Sequence, residues 1–170
     1  DNSFTFVSSI IDMNLFFKED ESISPGDDIY AGATINNRSS DTLKDLVLRL
    51  KTEDEKITFF DDVEILNVIE PGQVLSADDI FMFNPDKNLY DQYIIPFEIE
   101  LTTDSNNWSK SLKLAVDAPL LSLGAVNVID DNNHKPEPGE EITLQINIDN
   151  KGHEKARGVS AEIESISPYI

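Results

Sequence analysis

Apolar residues recur at every second position in short runs along this chain, and the runs themselves repeat. Ile29, Ala31, Ala33 and Ile35 alternate with Tyr30, Gly32, Thr34 and Asn36; Ile142, Leu144, Ile146 and Ile148 alternate with Thr143, Gln145, Asn147 and Asp149. A period of two places one set on each face of an extended strand, the signature of a sheet with one buried and one wet side. Each run follows a turn (Pro25-Gly26-Asp27-Asp28 and Pro138-Gly139-Glu140-Glu141) and closes on an asparagine, Asn37 or Asn150. Subtracting 25 from 138 gives an offset of 113, which also carries Asn14 onto Asn127, Ile29 onto Ile142 and Ile35 onto Ile148 without a gap. The chain reads as a tandem of one module whose second copy is cut short.

Further alternating runs fill the first copy. Ile11, Met13 and Leu15 predict its first strand, Leu46, Leu48 and Leu50 another, then Glu64 to Ile69, Asp79 to Asn84, Ile95 to Leu101, and Leu112 to Val116. Turn residues separate them: Pro71-Gly72, Asn84-Pro85-Asp86 and Asp104-Ser105-Asn106-Asn107, with Ala118-Pro119 closing the module. No stretch has a convincing helical period. The expected architecture is all-β, an immunoglobulin-like β-sandwich: residues 1–9 the tail of a preceding segment, 10–119 one complete sandwich, and 120–170 the first half of a second. That half comprises a strand over 122–129, one over 142–148 and a third carried by Val159, Ala161 and Ile163. Three strands leave bare edges and an open apolar face, so the second copy is expected to pack on the first module, to pair with a neighbouring chain, or to mark a boundary cut through a longer protein.

Charge narrows the partners. Thirteen Lys and Arg face thirty-three Asp and Glu, a formal charge of −20, which repels nucleic-acid phosphates and anionic lipid headgroups. Neither nucleic acid nor membrane insertion is expected. No run of 18 apolar residues and no basic-then-apolar leader occurs, so a secretion signal is expected to have been removed or left out. The chain has no cysteine, which removes disulfides, thiolate metal sites and thiol nucleophiles from this segment.

Candidate chemistry is sparse. His134 and His153 fall in loops, with no Gly-x-Ser-x-Gly elbow and no zinc spacing around them. No catalytic, cofactor-binding or metal-ligating residue is assigned, and no cofactor is expected. Asp130, Asp131, Asn132, Asn133, Glu137 and Glu140 gather hard oxygen ligands in one loop where a turn could wrap them around Ca²⁺; equally, Asp and Asn suit turns without any ion. Tyr93, ahead of a strong strand, suits a tyrosine-corner role with its hydroxyl returned to nearby backbone, or plain packing. Trp108 reads as an aromatic lid at the sandwich end, or as a surface on which a sugar stacks.

The succession Ala118-Pro119, Val126-Asn127-Val128-Ile129-Asp130-Asp131-Asn132-Asn133, Pro138-Gly139-Glu140, Asn150-Lys151-Gly152-His153, Val159-Ser160-Ala161-Glu162-Ile163 and Ser167-Pro168-Tyr169 resembles the immunoglobulin-like repeats beside the catalytic domains of gingipain-like cysteine peptidases of Bacteroidetes-type bacteria. Related modules are described as cell-adhesion-related domains. Where loops of that family often read Asn-Gly-Asp-Gly before the Pro-Gly turn, this chain has Asn132-Asn133-His134-Lys135 in one copy and Glu19-Asp20-Glu21-Ser22 in the other. The resemblance implies a non-catalytic accessory or spacer module of a secreted or cell-surface bacterial protein, its partners the adjacent domains of the same parent chain, with self-association through the truncated repeat a further route. The alternative is an adhesion or carbohydrate-binding module, which requires Tyr30, Phe81, Tyr90 and Trp108 to gather on one concave face. An enzyme in its own right would need a deep pocket holding perturbed carboxylates.

Overall fold

The computed structural model describes residues 10–18, 22–130, 135–164 and 166. The expected tail at 1–9, the acids Glu19, Asp20 and Glu21, and the closing Ser167 to Ile170 lie outside that set. The chain forms two compact units, Asp1–Asp117 and Ala118–Ile170.

The first unit holds eight strands: β1 (Ile11–Phe16), β2 (Ile29–Asn37), β3 (Leu46–Lys51), β4 (Ile57–Asp61), β5 (Val63–Leu66), β6 (Val74–Pro85), β7 (Ile94–Thr102) and β8 (Asn107–Ala115). They make two four-stranded antiparallel sheets, ordered β1-β2-β6-β4 and β5-β3-β7-β8. This is the immunoglobulin-like sandwich that the alternation predicts. Met13, Ala31, Ala33 and Ile35 on one sheet, and Leu46, Leu48, Leu50 and Ile99 on the other, are each 1% exposed or less. Removing a large aliphatic side chain of this kind from water contributes roughly 1.5–3 kcal/mol.

Two features depart from the simple pattern. β4 was not expected, because Thr58-Phe59-Phe60 does not alternate cleanly and acids flank it. It pairs with β6, and the chain then crosses to the other sheet between Asp61 and Val63, where β5 pairs with β3. A register irregularity between Phe59 and Asp61 accompanies the crossing, as is usual where a strand changes sheets. β6 starts five residues before the expected Asp79, since Asp78-Asp79 is a bulge within a long strand. Asp79 has φ 52°, and its carboxylate is paired with Lys18 Nζ at 2.6 Å.

One turn is used three times. Gly26, Gly72 and Gly139 have φ of 79°, 76° and 84°, each after a proline, and each turn closes with a backbone hydrogen bond: Asp27 N–H to Ser24, Gln73 N–H to Glu70, Glu140 N–H to Glu137. Proline presets φ at the first corner, and only glycine takes the positive φ at the second without strain. Behind the turn at Gly72 lies Asn37, fully buried at the end of β2, whose Nδ2 donates to the carbonyls of Asp41 (2.8 Å) and Ile69 (3.0 Å) while Oδ1 accepts from Ser39 N. At the open side of the sandwich, Lys110 on β8 reaches across to β1, its Nζ donating to Met13 O (2.7 Å) and Asn14 Oδ1 (2.7 Å).

The second unit contains β9 (Leu121–Ile129) and β10 (Thr143–Asn150), an antiparallel pair. Asn150 repeats the work of Asn37 four residues at a time: Nδ2 donates to Glu154 O, as Asn37 does to Asp41 O, and Oδ1 accepts from Gly152 N, as Asn37 does from Ser39 N. The third expected strand does not form, and residues 159–164 carry no strand. Its counterpart β3 is held by β5 and β7. Among the described residues of the second unit, β9 and β10 pair only with each other, and 159–164 bonds to neither.

Candidate functional site

At one end of the sandwich the β2–β3 loop and the β7–β8 turn face each other across a cleft of about 500 Å³, walled by Trp108 and edged by Asp41, Asp45 and Asp104. The turn is self-contained: Thr103 Oγ1 accepts from the N–H groups of Ser105 and Asn106, and Thr103 N–H donates to Asn106 O. Thr42 Oγ1 is likewise occupied by Glu70 at 2.6 Å. Asp41, Asp45 and Asp104 contribute three carboxylates to the lining, and Lys44 one ammonium. Trp108 is half-buried and packs against the core, which matches its reading as an end lid.

Tyr93 marks the opposite end. Its hydroxyl does not return to nearby backbone as a tyrosine corner would; it donates to Asp54 Oδ2 at 2.7 Å, 39 residues away. The β3–β4 loop makes this possible, since Asp54 is the hub of its own turn, with Lys56 N–H donating to Asp54 Oδ1 and Ile57 N–H to Asp54 O. Lys56 Nζ lies 4.3 Å from the Tyr93 ring centroid, and Tyr90 meets that ring edge-on at 5.2 Å. The hydrogen bond to Asp54, then burial, raises the phenol above its ordinary 10.0. On the face of the second sheet Glu100 is held below 4.5, first by Lys51 and then by Asn107, whose Nδ2 donates to it at 2.6 Å.

These two shifts predict opposite pH behaviour. Raising a phenol's pKa on folding stabilises the protein below about 10, and that contribution is lost as pH rises through the folded value; lowering a carboxyl's stabilises it above about 4.5, and that is lost as pH falls through the folded value. Tyr93→Phe should thus flatten the alkaline limb of a stability–pH curve and leave the acid limb unchanged, with Lys51→Met doing the reverse, as read by urea unfolding from pH 3 to 11. An alkaline limb unchanged in Tyr93→Phe would show that the Asp54 bond does not form.

The acidic loop after β9 is described only in part, because Asp131, Asn132 and Asn133 lie outside the described residues, as does His134. Of the rest, Glu140 Oε2 accepts from Glu137 N–H at 3.2 Å, so that carboxylate serves its own Pro-Gly turn. His153 is exposed in the loop after β10, with its backbone N–H on Ala118 O.

The aromatic residues weighed for a binding platform do not come together. Phe81 is fully buried on β6, and Tyr30 stands exposed on β2 of the same sheet, whereas Trp108 lies on β8 of the other. Trp108 pairs with Leu101 at the far end of β7, while Tyr93 and its neighbour Tyr90 precede that strand. Eight residues of strand separate the two places, roughly 26 Å at 3.3 Å per residue. Among the described residues, ring pairs are confined to Phe59, Phe83 and Phe97 in the core and to Tyr90 with Tyr93.

No family model matches the chain, and no curated protein matches it. Among solved structures, a FixG-related protein from Vibrio parahaemolyticus is similar at 12% identity and a TM-score of 0.43, over 64% of this chain and 98% of that one. The ASH/PapD-like domain of human CEP192 (PapD-like domain 7) is similar at 9% identity and a TM-score of 0.37, over 69% of this chain and 93% of that one. Among the described residues no helix is long and apolar enough to cross a membrane.

Proposed function

We propose that this chain is a non-catalytic tandem immunoglobulin-like module that spaces and supports adjacent domains of its parent, a secreted or cell-surface bacterial protein of the gingipain-like peptidase type. The observation that carries this reading is the repetition of one side-chain device, Asn37 in the first unit and Asn150 in the second, each tying its loop at i+2 and i+4 behind a strand that follows a Pro-Gly turn. Here the polar groups with perturbed protonation are explained by bonds that hold strands and loops, Tyr93 by Asp54 and Glu100 by Lys51. A module of this kind works through its stiffness and its ends.

A second reading, saccharide binding, has one specific observation in its favour: a half-buried indole beside three carboxylate acceptors in the cleft at Trp108. The discriminating experiment is titration calorimetry of the chain with neutral oligosaccharides and soluble cell-wall polysaccharide. The spacer reading expects no binding heat up to millimolar ligand. A saturable isotherm that Trp108→Ala abolishes, with the melting temperature retained, would replace it with the binding reading.

A further inference from the structure

Lys110 stands where the alternation of β8 calls for an apolar side chain. It falls in the same row as Trp108, Leu112 and Leu114, all packed against the core, while Ser109, Ser111 and Lys113 make up the exposed row. Its stem follows the open side of the sandwich, and its ammonium reaches the edge of the other sheet. There it meets three acceptors on consecutive residues of β1: Asp12 Oδ1 at 3.3 Å, Met13 O at 2.7 Å and Asn14 Oδ1 at 2.7 Å. Asp12 and Asn14 lie two apart on a strand and so share a face, which brings a carboxylate and a carboxamide to one nitrogen. Arg38 Nη2 holds the other oxygen of that carboxylate at 3.4 Å.

An amine, an amide and a proton carrier in this arrangement can react. A carbonyl bond is about 1.23 Å long, so an Nζ 2.7 Å from Oδ1 lies roughly 3–4 Å from Cγ of Asn14. That is close to the separation of a near-attack pair, about 3–3.5 Å. We propose that Lys110 and Asn14 join in an isopeptide bond between the two sheets, with Asp12 moving the protons. Asp12 takes a proton from the ammonium. The freed lone pair attacks Cγ of Asn14, forming the new C–N bond and a tetrahedral carbon, and the bond from Cγ to Nδ2 then breaks. The departing nitrogen leaves as ammonium, carrying off the two protons and the positive charge that Lys110 gives up, and one proton stays on the new amide. One amide replaces another, so neither oxidant nor cofactor enters.

Topology gives the bond its use. β1 and β8 are the first and last strands of the first unit, and among the described residues each is an edge of its sheet. The bond joins residues 96 apart in a chain that has no cysteine to do the same by disulfide.

The test is intact-mass spectrometry of the full chain, denatured after folding. The expected wild-type mass is below that of the sequence by one ammonia, and protease digestion should give a branched peptide in which Lys110 is joined to Asn14. Lys110→Arg, Asn14→Ala and Asp12→Ala should each restore the full mass while circular dichroism still reports folded sheet. Wild type should melt more than about 10 °C above Lys110→Arg, because a cross-link over so long a loop restricts the unfolded chain much as a disulfide does. The wild-type mass and the branched peptide decide the matter even if a variant fails to fold. A wild type still at full sequence mass after days at neutral pH would overturn the proposal, leaving Lys110 as an ammonium clamp alone. So would an ammonia loss that persists in Lys110→Arg, the mark of a succinimide formed at an asparagine by its own backbone. A cross-link as complete in Asp12→Ala as in wild type would overturn the role given to Asp12.

Discussion

Replacing Phe83 by alanine is expected to remove about 3–5 kcal/mol from the stability of the first unit, the cost of deleting a fully buried ring from a core that relaxes only in part. Phe83 is 0% exposed, with its ring centroid 5.1 Å from Phe97 and 6.0 Å from Phe59. The three rings come from β6, β7 and β4, so they join the two sheets rather than strands within one. At roughly 3–6 °C per kcal/mol for a unit of this size, the melting temperature should fall by about 9–30 °C. Phe83→Leu, which keeps most of the volume, should cost less than about 1.5 kcal/mol. Calorimetry of the two variants against wild type checks both, and a Phe83→Ala loss near 1 kcal/mol would mean that the rings do not form a shared centre.

Asn37→Ala should cost about 2–4 kcal/mol through a different mechanism. It removes one buried hydrogen bond, to the carbonyl of Ile69, and two part-buried ones, to Asp41 O and from Ser39 N–H, and leaves a gap where a fully buried side chain stood; a buried group short of its partner costs about 1–3 kcal/mol. Asn150 has the same offsets but is exposed, so water replaces what Asn150→Ala removes and the loss should stay near 1 kcal/mol. Guanidinium unfolding of the two single variants measures the contrast directly. Equal losses would show that burial plays no part in the Asn37 bonds.

Most of this architecture was legible because alternation is a direct print of a half-buried strand. Where the print is unbroken, at β2, β3, β7 and β10, strand positions agree with the pattern to within one or two residues. It failed where geometry other than alternation decides. Phe59 and Phe60 are adjacent and so cannot share a face, and β4 is recognisable only once β6 is seen beside it. Asp78-Asp79 looks like a break and is a bulge, because Asp79 tolerates a positive φ that most residues resist. Val159, Ala161 and Ile163 alternate correctly yet form no strand, since alternation describes a face and not the neighbour a strand must bond to. The repeat offset located both structural asparagines, while the partner of Tyr93 was not readable, because Asp54 lies 39 residues away in a loop with no period at all.

The first unit's chain enters at Ile11, beside the Trp108 cleft that Ile10 helps to line, and leaves β8 at Ala115, which pairs with Ile94 at the opposite end. Traction applied to these two ends would therefore run along the strands. β1 would slide against β2 and β8 against β7, loading the nine register pairs of the β7–β8 ladder in shear rather than peeling them one by one. Lys110, anchored on Met13 and Asn14, ties the two loaded edges to each other. Under tension the unit would hold until many hydrogen bonds failed together, the behaviour of a tether rather than of a zip.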